Sequence, residues 1–125
     1  MSEWLRIILF LQAAYYLLTA VWPIVHMRSF VAVTGPKTDL WLVRTVGILI
    51  LLIACTLFLG ASQAVISPET ILLSLGSAIC LAGVDVYYVM RAVIRPMYLL
   101  DATTEIGIAI LLAVLTLASN VAQGV

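Results

Sequence analysis

Apolar residues in this chain fall into four long, nearly unbroken runs separated by short polar stretches. The runs occupy residues 4–25, 40–59, 68–89 and 97–119. Each is close to the length of about 20 residues that a helix needs to cross a hydrocarbon layer. Apolar positions are continuous within a run rather than alternating, which excludes half-buried strands. A closed barrel would need many more strands than this chain can supply. The pattern predicts an all-α membrane protein, a four-transmembrane-helix bundle forming one domain over residues 1–125. Ser67-Pro68-Glu69 strengthens the third boundary, combining an N-cap residue, a proline in the first turn and an acid near the positive end of the helix dipole. Pro23 and Pro96 also sit near run ends, where a missing N–H does least damage.

Composition sharpens this picture. Hydrophobic residues make up 65% of the chain and charged residues only 10%, with a mean hydropathy of +1.23. So few polar side chains cannot cover a water-soluble globule of this size. Six basic residues balance six acidic ones, which argues against a nucleic-acid partner, an acidic tail and a disordered chain. The first run reads as a retained helix rather than a signal peptide, because Glu3 offsets Arg6, the run is long and no clear small-x-small cleavage site follows. Cys55 and Cys80 fall mid-run without metal-binding or redox spacing, and read as small buried hydrophobes.

Basic residues orient the bundle. Arg28, Lys37, Arg44, Arg91 and Arg95 flank the loops after the first and third runs, whereas the other side has Arg6 alone. The positive-inside rule makes those two loops cytoplasmic and both termini periplasmic. Trp22, Trp41, Tyr87, Tyr88 and Tyr98 form an aromatic belt near the basic side. The two halves also resemble each other. Met27-Arg28 recurs as Met90-Arg91, and the stretch from Gly47 to Leu52 aligns with that from Gly107 to Leu112. Two helical hairpins related as parallel repeats are one reading, and the loose similarity of any two leucine-rich helices is the other.

Charges inside the runs are the candidate chemistry. Counting back from Asn120 puts Asp101 at the membrane boundary and Glu105 about 6 Å deeper. Asp85 and Arg44 lie about one turn inside the third and second runs on the same side. A charge facing lipid costs about 2.5–3.5 kcal/mol at mid-depth and less near the interface. These groups are therefore expected to turn inward, with Asp101 and Glu105 on one helix face. Arg44 is expected to pair with Asp85 or Glu105, and the three acids to line one cavity reached from the cytoplasm. Tyr87, Tyr88, Tyr98 and Thr104 are candidates to hydrogen-bond them, and Tyr15 and Tyr16 need partners inside the bundle. A purely structural clamp between helices explains the same charges.

The remaining motifs carry less. Thr34-Gly35-Pro36-Lys37 in the first cytoplasmic loop reads as a turn, with Thr38 or Asp39 capping the second run. Arg28, Lys37, Arg91 and Arg95 are candidates to contact lipid headgroups or phosphate, although basic residues at this level also act simply as topology signals. His26 is the lone histidine. It is expected at the interface with a solvent partner, with a general-base role beside Asp85 or Glu105 as the sharper alternative. No spacing points to a metal site, haem, another cofactor or a catalytic nucleophile. Gly47, Gly76, Gly83 and Gly107, with Cys80, are expected to let helices approach closely.

Two blocks resemble a family of small bacterial four-span membrane proteins. The first is Arg28-Ser29-Phe30 followed by the stretch Val33-Thr34-Gly35-Pro36-Lys37-Thr38-Asp39-Leu40-Trp41-Leu42-Val43-Arg44. The second is Asp85-Val86-Tyr87-Tyr88-Val89 with Pro96-Met97-Tyr98-Leu99-Leu100-Asp101 and Glu105. The resemblance implies the four-span fold and a bacterial membrane location, and no activity. Size and span count alone also make the chain similar to DoxX-like and emopamil-binding groups, and no residue is carried over from them.

The expected function is binding or translocation of a small solute, ion or proton through a polar pocket facing the cytoplasm. The partners would be the lipid bilayer and, besides the solute, a second copy or another membrane protein. A non-catalytic accessory subunit is the alternative, and an enzyme acting on a lipid or quinone through the three acids is a weaker one.

Overall fold

In the computed structural model, which describes the backbone of residues 2–124 and the side chains of residues 3–118, the chain is all helical. Helix α1 covers Ser2–Val25, α2 Met27–Thr34, α3 Leu40–Ala61, α4 Pro68–Met90 and α5 Tyr98–Gly124. Four of these, α1, α3, α4 and α5, are long and apolar enough to cross a membrane. The fourth expected run was placed as ending near Asn120, but the helix continues to Gly124. Ala122 and Gln123 are good helix formers and carry the ladder past the apolar stretch.

The expected first loop is partly a helix. Helix α2 begins at His26, whose Nδ1 accepts from the Ser29 backbone N–H at 3.2 Å. Trp22 Nε1 donates to the Ser29 hydroxyl at 2.8 Å, and its ring meets Phe30 edge-on at 5.4 Å. These contacts fold the segment back against the end of α1. Gly35, at φ +110°, ends the helix in a conformation that a side chain would strain. Residues 35–39 then link α2 to α3 as irregular chain, in place of the turn expected over Thr34–Lys37, because Thr34 is still helical. Asp39 takes the N-cap position of α3, but its carboxylate makes no capping bond. Ser67 caps α4 as the sequence predicts, its hydroxyl accepting from Thr70 N–H at 3.2 Å.

Helix α1 is the centre of the packing. Its buried residues Leu5, Leu9, Ala13, Tyr16 and Ala20 recur every three or four positions and form one stripe. That stripe packs on α3 on one side and α5 on the other, while α4 packs mainly on α5. The tightest pairs are thus α1 with α3 and α4 with α5, two hairpins of neighbouring long helices. Leu57 and Ala54 of α3 and Leu112 of α5 complete the core. Arg6 holds the open ends of the first hairpin, donating to the carbonyls of Ala61, Gln63 and Ala64 at the end of α3. That contact explains the single basic residue at this end in structural terms.

Close approach between helices comes from Gly47 and Gly60. A Cβ on Gly47 would lie 3.0 Å from the Ala20 carbonyl, and one on Gly60 would collide with the Thr70 side chain. Gly76, Gly83 and Gly107, expected to serve the same purpose, have nothing within 4 Å, and Cys55 and Cys80 are exposed rather than buried. Gly83 and Gly107 face outward because α4 and α5 each turn a single stripe to their neighbours. The outer surface is strongly apolar, with Leu18 72% and Leu72 74% exposed.

Candidate functional site

The acids on α4 and α5 converge beside the tyrosines of α1. Asp101 and Glu105 are one turn apart on α5 and so point the same way. Glu105 is fully buried, Asp85 is 6% exposed, and Asp101 is half-buried near the start of α5. The Tyr16 hydroxyl donates to Glu105 Oε1 at 2.8 Å, with Oε2 at 3.2 Å. The Tyr15 hydroxyl donates to Asp101 Oδ1. Asp85, on α4, is buried, and its Oδ2 has no hydrogen-bond partner.

A second set of bonds continues the cluster along the bundle. Gln12, one turn before Tyr16, donates through Nε2 to the Tyr16 hydroxyl at 3.2 Å and to the Ser74 carbonyl at 3.0 Å. The Ser74 hydroxyl donates back to Gln12 Oε1. Gln12 and Ser74 are both fully buried. Their reciprocal pairing fixes which end of the amide faces Tyr16. A polar seam therefore runs from Ser74 through Gln12 and Tyr16 to Glu105, with Tyr15, Asp101 and Asp85 beside its lower end.

Several expectations need correction. Arg44 is exposed on α3, and no ion pair joins it to Asp85 or Glu105 among the described residues. The reason is the packing order: α1 stands between α3 and α5, so a residue near the start of α3 faces away from the acids. The acids come together beside α1, where its tyrosines bond them. Neither of the two clefts described below is lined by Asp85, Asp101 or Glu105.

The supporting candidates also lie elsewhere. Tyr87 and Tyr88 are 53% and 41% exposed and stack edge-on against each other at 5.0 Å. The Thr104 hydroxyl is spent on the Leu100 carbonyl. Tyr98 packs under Lys37, and His26 is the cap of α2. A general-base role for His26 beside the acids is thereby replaced by a structural one.

The polar seam that leads to Glu105 through Tyr16 includes Gln12, which the sequence reading missed. The signal was present: Gln12 is an amide at mid-run, four residues from Tyr16, so both share a helix face. Ser74 is a weaker signal, since serine in an apolar helix can bond its own backbone.

Among the described residues, two clefts at the surface stand out. One, about 960 Å³, is an apolar groove between α3 and α4 that includes Ile53, Leu72, Gly76 and Cys80. The other, about 490 Å³, lies between the link before α3 and the loop joining α4 to α5. Of the headgroup candidates, Lys37 and Arg95 line this second cleft. Arg28 is exposed on α2, and Arg91 lies over the Tyr87 ring at 5.6 Å.

No family model, curated protein or solved structure matches this chain.

Proposed function

We propose that the chain is a multi-pass protein of the bacterial cytoplasmic membrane that takes up and moves protons through the Asp85–Asp101–Glu105 cluster. Four apolar helices and an outer surface of exposed leucines support membrane residence, because such a surface is untenable in water. The observation that carries the functional reading is the missing counter-charge. Three carboxyl groups meet inside an apolar bundle, and no Lys, Arg or His pairs with them among the described residues. Unpaired buried charge is costly enough that the site must be neutralised from outside. Among the described residues the acids do not form a metal-ligand group. Protonation of Asp85 also removes the cost of leaving its buried, unpartnered Oδ2 charged.

Access is from the end that bears the basic loops, where Asp101 is half-buried. Tyr15 and Tyr16 hold the acids, and the Gln12 amide closes the opposite side. A hydroxyl can pass on a proton while keeping its bonds, but an amide held at both ends cannot do so readily. Passage beyond Glu105 thus needs the Gln12–Tyr16 bond to open. The test is proton flux: proteoliposomes holding the protein should collapse an imposed pH gradient faster than empty ones, and equal rates would contradict the reading.

The basic loops support an orientation with both termini in the periplasm, by the positive-inside rule. An enzyme reporter that is active only in the cytoplasm should be silent when fused after Val125. Activity there would reverse the assignment.

A second reading has its own support. Gln12, Ser74, Tyr16 and Glu105 tie α1, α4 and α5 together, which is what an accessory subunit held by a polar clamp requires.

A further inference from the structure

The cleft between the two basic loops has the features of an anion site. It is formed by residues 34–39 and 92–95, which are far apart in sequence and meet where Gly35 packs under Arg95. A Cβ on Gly35 would lie 3.0 Å from Arg95 Cδ and Nε, so only glycine lets the arginine lie along this link. Gly35 is buried and at positive φ, and Ala92, which also lines the cleft, has φ +59°. Two left-handed residues thus shape its walls, one of them carrying a side chain that strains it.

The cations are held in different ways. Lys37 Nζ donates to the Thr34 hydroxyl at 2.8 Å and the Gly35 carbonyl at 3.1 Å. It also stands 5.2 Å from the ring centres of both Phe30 and Tyr98. An ammonium has three donors, so one remains while its position is already fixed. Arg95 is exposed, and its guanidinium has no hydrogen bond to protein among the described residues. A fixed ammonium beside an unspent guanidinium fork suits a phosphate, which accepts a bidentate arginine and a point charge together. Asp39 also lines the cleft and disfavours a ligand with a second anionic group on that side. The level of the cleft, beside the starts of α3 and α5, matches the headgroup layer of the proposed membrane.

We propose that Lys37 and Arg95 bind one phosphate group, carried either by an anionic lipid headgroup or as free inorganic phosphate. The site is independent of the acid cluster. The choice of these two among the four basic candidates rests on the cleft, since Arg28 and Arg91 lie outside its lining.

The test uses the full chain in phosphatidylcholine nanodiscs, with spin-labelled phosphatidylglycerol and inorganic phosphate as separate probes. Arg95→Gln and Lys37→Met should each weaken the bound probe about tenfold, the loss of one charge-assisted contact. Arg28→Gln and Arg91→Gln remove the same charge at the same end and should leave binding unchanged. Binding of phosphatidylglycerol that free phosphate does not displace identifies the lipid as the source. Saturable binding of inorganic phosphate that phosphatidylglycerol does not displace identifies the free anion. Equal weakening by all four substitutions, or no binding of either probe, overturns the site. Should Lys37→Met lose helical content, Arg95→Gln decides alone, because that side chain is exposed and makes no bond within the fold. Lys37→Arg then serves as the charge-conserving control, expected to retain binding.

Discussion

Glu105→Gln is expected to abolish proton uptake by proteoliposomes while the four-helix fold survives. Glutamine keeps the size of the side chain and can still accept from the Tyr16 hydroxyl through its carbonyl oxygen. It cannot bind or release a proton in the working range. Glu105 is the fully buried acid of the three and the one joined to the Gln12–Tyr16 seam. Its neutralisation therefore cuts the path at its deepest titratable point. Asp101→Asn, nearer the entrance and half-buried, should slow uptake without the same loss. Helical content and elution as a single species report the fold. An Glu105→Gln protein that transports normally would contradict the proposed role, and one that no longer folds would favour the polar clamp.

Tyr16→Phe is expected to destabilise the bundle by about 1.5 kcal/mol, the upper part of the range for hydrogen bonds between helices in a membrane. Two losses combine. Glu105 loses its donor, and Gln12 loses one of its acceptors. Both groups are fully buried, so water cannot replace either bond. Phenylalanine fills the same space, so cavity formation adds little. Unfolding of the purified protein in a denaturing-detergent titration measures the change. Combining the substitution with Glu105→Leu, which removes the acceptor that glutamine would keep, should give a non-additive result, since the two side chains share one bond. Strict additivity would mean that the Tyr16 hydroxyl does not act through Glu105.

Much of the architecture was legible because hydrophobic run length is a direct signal of helix number. The N-cap at Ser67 followed from single-residue chemistry in the same way. Helix α2 was missed because its polar and apolar residues read equally well as a loop, and its cap is a histidine rather than one of the usual small polar residues. Inward placement of Asp85 and Glu105 could be argued from the cost of facing lipid. Their partners could not, because which helix lies beside them depends on packing order. Arg44 matches the acids in depth, yet α1 separates it from them. Depth along a helix is readable from sequence, whereas rotation about its axis and the identity of the neighbour are not. The same limit hid the joint cleft of Lys37 and Arg95, whose residues are brought together only by the meeting of two loops.

A buried acid cluster without a counter-ion should hold a proton at neutral pH, and infrared spectroscopy reads that proton directly. The protein in lipid should show a protonated-carboxyl stretching band that shifts in heavy water and titrates with pH. Asp85→Asn or Asp101→Asn should diminish the band. Absence of any such band at neutral pH in the folded wild-type protein would show that the acids are fully ionised, and would contradict a proton-binding cluster.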